Sequence, residues 1–235
     1  MEIKGIILDY GGTLDTGGDH WSHVIKEGWD KAGVAANDAL FREAYVYGEQ
    51  EIERTEHILP QHDFSDLLKI KIELELTYLA SHGEFPPAQI EAKSTEIAAY
   101  CYGVAKEATS GSKDILEKLS SKYPLVLVSN FYGNLSTVLK DFGLYNFFKE
   151  VIESKKVGVK KPDVEIFTLA LKALTLKPEE VLVVGDSVKN DILPAKKLGC
   201  QTLLLKGRGW AKDTPLPSSD IQTIESLDEV FNFIA

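Results

Sequence analysis

Four short runs of apolar, mostly branched residues constrain this chain more than any other feature: residues 3–8, 125–128, 181–184 and 202–205. Each is short for a buried helix, and none alternates apolar with polar residues as a half-wet strand does. They read as strands covered on both faces. A weaker run lies at 150–152. Stretches with helical spacing separate them, at 112–121, 134–142, 164–174 and 191–198, with Gly143 and Gly199 placed as C-caps of the second and fourth. In 164–174 the spaced apolar positions are Ile166, Phe167, Leu169, Ala170 and Leu174. Strands alternating with helices predict an α/β fold with a doubly wound parallel sheet.

Residues from about 18 to 108 differ. They carry four helical patterns, 21–32, 38–53, 64–81 and 87–105, broken at Gly33, at Leu59-Pro60 and at 83–86, with no strand pattern between them. An all-helical insertion after the first strand is expected. The division is 1–16 and 109–235 for the α/β core, and 17–108 for the helical unit. A chain of 235 residues suits this plan, and 44% hydrophobic with 26% charged residues is ordinary for a globular protein.

The net charge of −10 supplies no basic surface for a phosphate backbone, so charge-driven nucleic-acid binding is not expected. No stretch approaches the ~18 apolar residues of a membrane span, and the apolar run behind Met1 is too short for a secretory signal. A cytoplasmic protein is expected. Cys101 and Cys200 have neither metal-ligand nor redox spacing and read as buried thiols in a reducing compartment. The sequon Asn134-Leu135-Ser136 reads as chance, and the sequence says nothing of oligomeric state.

Ligands of a doubly wound sheet bind beyond the carboxyl ends of its strands. Asp9 ends the first strand, Ser129 and Asn130 the second, and Asp186 the third, with Ser187 and Asp191 close behind. Carboxylates gathered in one crevice repel one another unless a cation lies between them. Neither histidine nor cysteine joins this set, so hard oxygen ligands point to Mg2+ rather than zinc. A hydroxyl, backbone amides and a lysine, Lys160 or Lys161, would add contacts to phosphate oxygens. The chemistry suggested is phosphoryl transfer on a small phosphorylated metabolite.

Asp9-Tyr10-Gly11-Gly12-Thr13-Leu14 resembles the first motif, D-x-D-G-T, of the haloacid dehalogenase superfamily. Leu127-Val128-Ser129-Asn130 is similar to its second, Lys161-Pro162 to its third, and Gly185-Asp186-Ser187-Val188-Lys189-Asn190-Asp191 to its fourth. The resemblance implies a Rossmann-like core and a helical cap inserted after the first motif. It implies Asp9 as the nucleophile that becomes an aspartyl-phosphate. Mg2+ would be held by Asp9, Asp186 and the backbone carbonyl of Gly11, with Asp191 as ligand or support. Gly12, Ser129 and Asn130 would contact phosphate, and Lys161 would pair with Asp9 and the phosphate.

The chain departs from this pattern at Gly11. Relatives that are phosphatases place a second aspartate there, which protonates the leaving group and then activates water. Asp15 is the candidate substitute, ahead of Asp19, His20 and His23. Two alternatives to a phosphatase follow: a catalytically weak binder of phosphorylated metabolites, and a metal-independent haloacid dehalogenase. Tyr10, Trp21, Trp29, Tyr45 and Tyr47 read as packing, and Arg208 and Trp210 as a surface loop beside the crevice.

Overall fold

The computed structural model describes residues 2–210 and 220–234. Its centre is a parallel sheet of β1 (Gly5–Leu8), β2 (Leu125–Ser129), β3 (Glu150–Glu153), β4 (Val181–Gly185), β5 (Gln201–Leu205) and β6 (Thr223–Ile224). The strand order is β3-β2-β1-β4-β5-β6. From β1 the chain winds outward through β2 to β3, then crosses back to lay β4 on the other side of β1. The reversal of direction falls between β1 and β4, and it opens a crevice beyond their carboxyl ends.

Every residue of β1, β2 and β4 is buried, as their near-continuous apolar runs require. Alternate residues serve opposite faces. Ile7, Val126, Val128 and Val183 pack with Ile166 and Phe167 of the helix Val164–Leu174. Ile6, Leu8, Leu125, Leu127 and Val184 pack with the other, larger group of helices.

That group begins with α1 (Trp21–Lys31), α2 (Asp38–Arg54), α3 (Phe64–Ser81) and α4 (Ile90–Ser120). Asn37 caps α2 by accepting from Leu40 N–H, and Asp63 with Asp66 forms a capping box on α3. The predicted helices 87–105 and 112–121 are one continuous helix of 31 residues, so position 108 lies mid-helix. Its buried stripe, from Ile97 and Cys101 through Ala105, Thr109 and Ser112 to Leu116 and Leu119, continues unbroken past Gly103 and Gly111. Each helical glycine costs about 1 kcal/mol relative to alanine, less than burying one large apolar side chain returns. The remaining helices are α5 (Leu135–Asp141), the short α6 (Ser154–Val157), α7 (Val164–Leu174) and α8 (Leu193–Leu198). The stretch 191–198, expected as one helix, begins with a π-helical turn over Val188–Ile192. Among the described residues no helix is long and apolar enough to cross a membrane. Both cysteines are buried and free, and Tyr10, Trp29 and Tyr45 are buried packing residues, as expected.

The helical layer holds a buried charge cluster. Lys71 Nζ lies 2.5 Å from Glu49 Oε1 and 3.3 Å from Glu75 Oε1. Glu75 is fully buried, and neither of its oxygens has a hydrogen-bond partner. Burial pushes its carboxyl up to about 7, against the pull of Lys71. A carboxyl that binds its proton more tightly when folded makes stability fall as pH rises from its unfolded value near 4.5 through about 7. The fall amounts to about 3 kcal/mol. Glu75→Gln removes it: thermal denaturation at pH 8 is expected to show the variant more stable than the parent, with the advantage gone at pH 4.

Candidate active site

Three carboxylates meet at the switch point. Asp9 follows β1, and Asp186 follows β4. Asp191 is brought back beside them by the π turn, which starts at Ser187 as its N-cap. One oxygen from each of the three lies within 4.8 Å of the others. Asp9 and Asp191 are buried, 7% and 1% exposed. Gly185 permits this approach, because a Cβ there would sit 2.5 Å from Asp191 Cγ.

Lys161 stands between them. Its Nζ is 2.7 Å from Asp9 Oδ1 and 2.7 Å from Asp191 Oδ1. Burial alone would lower the lysine, but the Asp191 and Asp9 carboxylates reverse the effect and hold it above its ordinary value. Burial raises the Asp186 carboxyl strongly, and repulsion from Asp9 and Asp191 adds to it. Asp191 is raised by burial too, with Lys161 opposing. One ammonium against three carboxylates leaves the cluster short of positive charge. The donor set, all hard oxygen, fits a divalent cation of the Mg2+ type.

Backbone and side-chain contacts fix the cluster. Asp9 Oδ1 also accepts from Tyr10 N–H at 2.7 Å, Asp191 Oδ2 accepts from Ser187 N–H at 3.0 Å, and Thr13 donates to Asp186 Oδ1 at 3.2 Å. The Asn130 side chain grips the backbone of Lys161 at both ends, accepting from its N–H at 2.8 Å and donating to its carbonyl at 3.0 Å. This orienting role was not visible in sequence, where Asn130 was assigned to phosphate. Thr13 was missed also; its hydroxyl two residues beyond Gly11 was the available signal. Ser129 is buried at the end of β2.

Two of the expected site residues have partners that the sequence did not indicate. Gly12 was expected to contact phosphate, but its N–H donates to Asp15 Oδ1 at 2.8 Å. It has φ +90°, and a Cβ there would lie 2.5 Å from Asp186 Oδ2, so the glycine backs Asp186. Asp15 was expected to replace the missing acid. It is fully buried, and its second oxygen accepts from Trp21 Nε1 at 2.9 Å, so each oxygen is held by an N–H donor. Its carboxyl is pushed up to about 7 by burial, against those two N–H donors.

The other linker groups are also engaged elsewhere. Asp19 pairs with Arg208, and the His23 ring contacts the Gly209 carbonyl. His20 caps α1, and burial pushes it down to about 4. Trp210 packs against Tyr45 at a tilt of 40° and lies under Arg42. At Gly11 an added Cβ would meet nothing within 4 Å, so the place of a side chain there is open.

A family model for haloacid dehalogenase-like hydrolases matches residues 3–199. A curated glyceraldehyde 3-phosphate phosphatase of Methanocaldococcus jannaschii is 42% identical over 93 residues, which are 39% of this chain and 40% of that relative. The chain thus spans about two fifths of the length of that relative. Among solved structures, a dehalogenase with an intermediate complex superposes with a TM-score of 0.66 at 20% identity, over 100% of this chain and 98% of the other. The protein YfnB of Bacillus subtilis, described as a HAD-hydrolase and solved bound to magnesium, superposes with a TM-score of 0.60 at 16% identity, over 100% and 99%. These two show a shared fold.

Proposed function

Because the chain belongs to the haloacid dehalogenase-like hydrolase family, we propose that it is a Mg2+-dependent phosphomonoesterase acting through an aspartyl-phosphate on Asp9. The observation that carries this reading is the meeting of Asp9, Asp186 and Asp191 within 4.8 Å around one buried lysine.

Asp9, Asp186, Asp191 and the carbonyl of Gly11 would hold the ion, whose charge when bound offsets that of the phosphoryl oxygens. Lys161 and Tyr10 N–H both engage Asp9 Oδ1, so Oδ2 is the attacking atom. It forms a bond to phosphorus as the ester P–O bond breaks, and the leaving oxygen takes a proton from water because Gly11 carries no acid. Water then attacks phosphorus and gives its proton to the hydroxide left by the first step, the bond to Asp9 breaks, and phosphate departs. Lys161 keeps charge balanced through both steps, and the Ser129 hydroxyl and Asn130 N–H donate to phosphoryl oxygens. Asp15 serves as a clamp that ties Gly12 to Trp21 at the start of α1.

In this reading 1–16 with 109–235 forms the core and 17–108 the cap. The substrate is a small phosphorylated metabolite, met in the cytoplasm. A second reading, a phosphate binder that turns over poorly, rests on Gly11. The test is steady-state hydrolysis of p-nitrophenyl phosphate. Turnover that requires Mg2+ and stops with a chelator is expected. Hydrolysis of 2-haloacids untouched by the chelator would replace the proposal with the dehalogenase alternative.

A further inference from the structure

A cavity of about 530 Å³ opens beside the carboxylate cluster, between α2 and the stretch from α6 to Lys160. Asn130 joins the two sites: it lines this cavity, and its side chain grips the backbone of Lys161.

Its charges are unevenly spent. Residues 155–161 contain four lysines in a chain of net charge −10. On the α2 wall, Glu49 is already neutralised by Lys71 and accepts from the Tyr132 hydroxyl at 2.8 Å. Glu53 pairs with Lys160 across the opening. Lys156 pairs with Glu153 at 2.9 Å. Lys155 is exposed on the opposite wall and has no ion pair or hydrogen bond among the described residues. After pairing, the lining therefore presents one surplus cation, Lys155, on the wall that α6 forms.

We infer that this cavity receives the leaving group and that Lys155 selects phosphomonoesters whose leaving group carries a second negative charge, a carboxylate or another phosphate. The inference rests on the phosphomonoesterase reading for the position of the first phosphate. A charge-assisted contact of this kind is expected to tighten binding about 10-fold, and the gain shrinks as salt screens an exposed cation.

The test is calorimetric binding to full-length Asp9→Asn protein with Mg2+, a background without the nucleophile. The ligands are 3-phosphoglycerate against glycerol 3-phosphate for the carboxylate arm, and fructose 1,6-bisphosphate against fructose 6-phosphate for the phosphate arm. The doubly anionic member of at least one pair is expected to bind about 10-fold tighter, and the two affinities converge when Lys155→Gln is added. Lys155→Glu should reverse the order. Equal affinities within both pairs, or a preference that survives Lys155→Gln, overturns the inference. Hydrolysis of p-nitrophenyl phosphate by the unmodified protein reads the phosphomonoesterase proposal separately, so a protein that binds selectively without turnover fails only that proposal.

Discussion

Gly11→Asp is expected to raise turnover of alkyl phosphomonoesters by about 100-fold or more, within the range that a positioned general acid contributes. The scaffold is ready to accept the carboxylate. A Cβ at position 11 meets no atom within 4 Å, and the residue does not hold the left-handed backbone that makes Gly12 obligatory. The main-chain carbonyl proposed as a metal ligand survives the change. The gain depends on the leaving group. An alkoxide needs a proton as its bond to phosphorus breaks, whereas p-nitrophenolate leaves well without one. The unmodified protein should therefore show a steep dependence of rate on leaving-group pKa across a series of aryl and alkyl phosphates. In Gly11→Asp that dependence flattens, with the largest gain on the poorest leaving groups. A uniform change across the series, or none, would mean that position 11 does not face the leaving oxygen.

What the sequence disclosed and what it withheld divide along physical lines. The sheet was legible because β1, β2 and β4 are buried on both faces, and complete burial writes a continuous apolar run. Asp9 and Asp186 were legible because each directly follows such a run. The continuity of α4 was not, since 106–111 falls between the two helical patterns and only the packing of Thr109, Ser112 and Leu116 joins them. The directions of hydrogen bonds were also hidden. The sequence places Gly12, Asn130 and Asp15 near the site, but whether an amide turns toward phosphate or toward a neighbouring carboxylate is decided by backbone dihedrals it does not print. The same holds for the two-residue β6, too short to carry a pattern. Lys71 and Glu75 sit on buried positions of α3 as helical spacing allows, yet nothing local announces that they face Glu49, 22 residues upstream of Lys71.

Lys161→Met is expected to cost both activity and stability, and the two losses should respond differently to Mg2+. Lys161 is 4% exposed and lies 2.7 Å from each of two carboxylates, while the third, Asp186, is raised by burial and further by repulsion from those two. Methionine keeps most of the volume and removes the charge. Three carboxylates, two of them buried and one half-buried, then face one another with no ammonium between them, and breaking a buried pair by removing one partner costs about 3–5 kcal/mol. Thermal denaturation without divalent cation should show that loss. An added cation supplies some of the missing charge, so Mg2+ should raise the melting temperature of Lys161→Met more than that of the parent. Turnover should stay at least about 100-fold down even at saturating Mg2+, because the ion does not replace the contact that holds Asp9 Oδ1 and meets the charge of the transferring group. The loss should fall on kcat more than on KM, since charge on the phosphoryl oxygens and leaving atom is redistributed in the transition state. A variant whose stability and kcat both recovered with Mg2+ would reduce Lys161 to a counter-ion for the carboxylates. Stability restored without kcat would place the lysine in the chemistry itself.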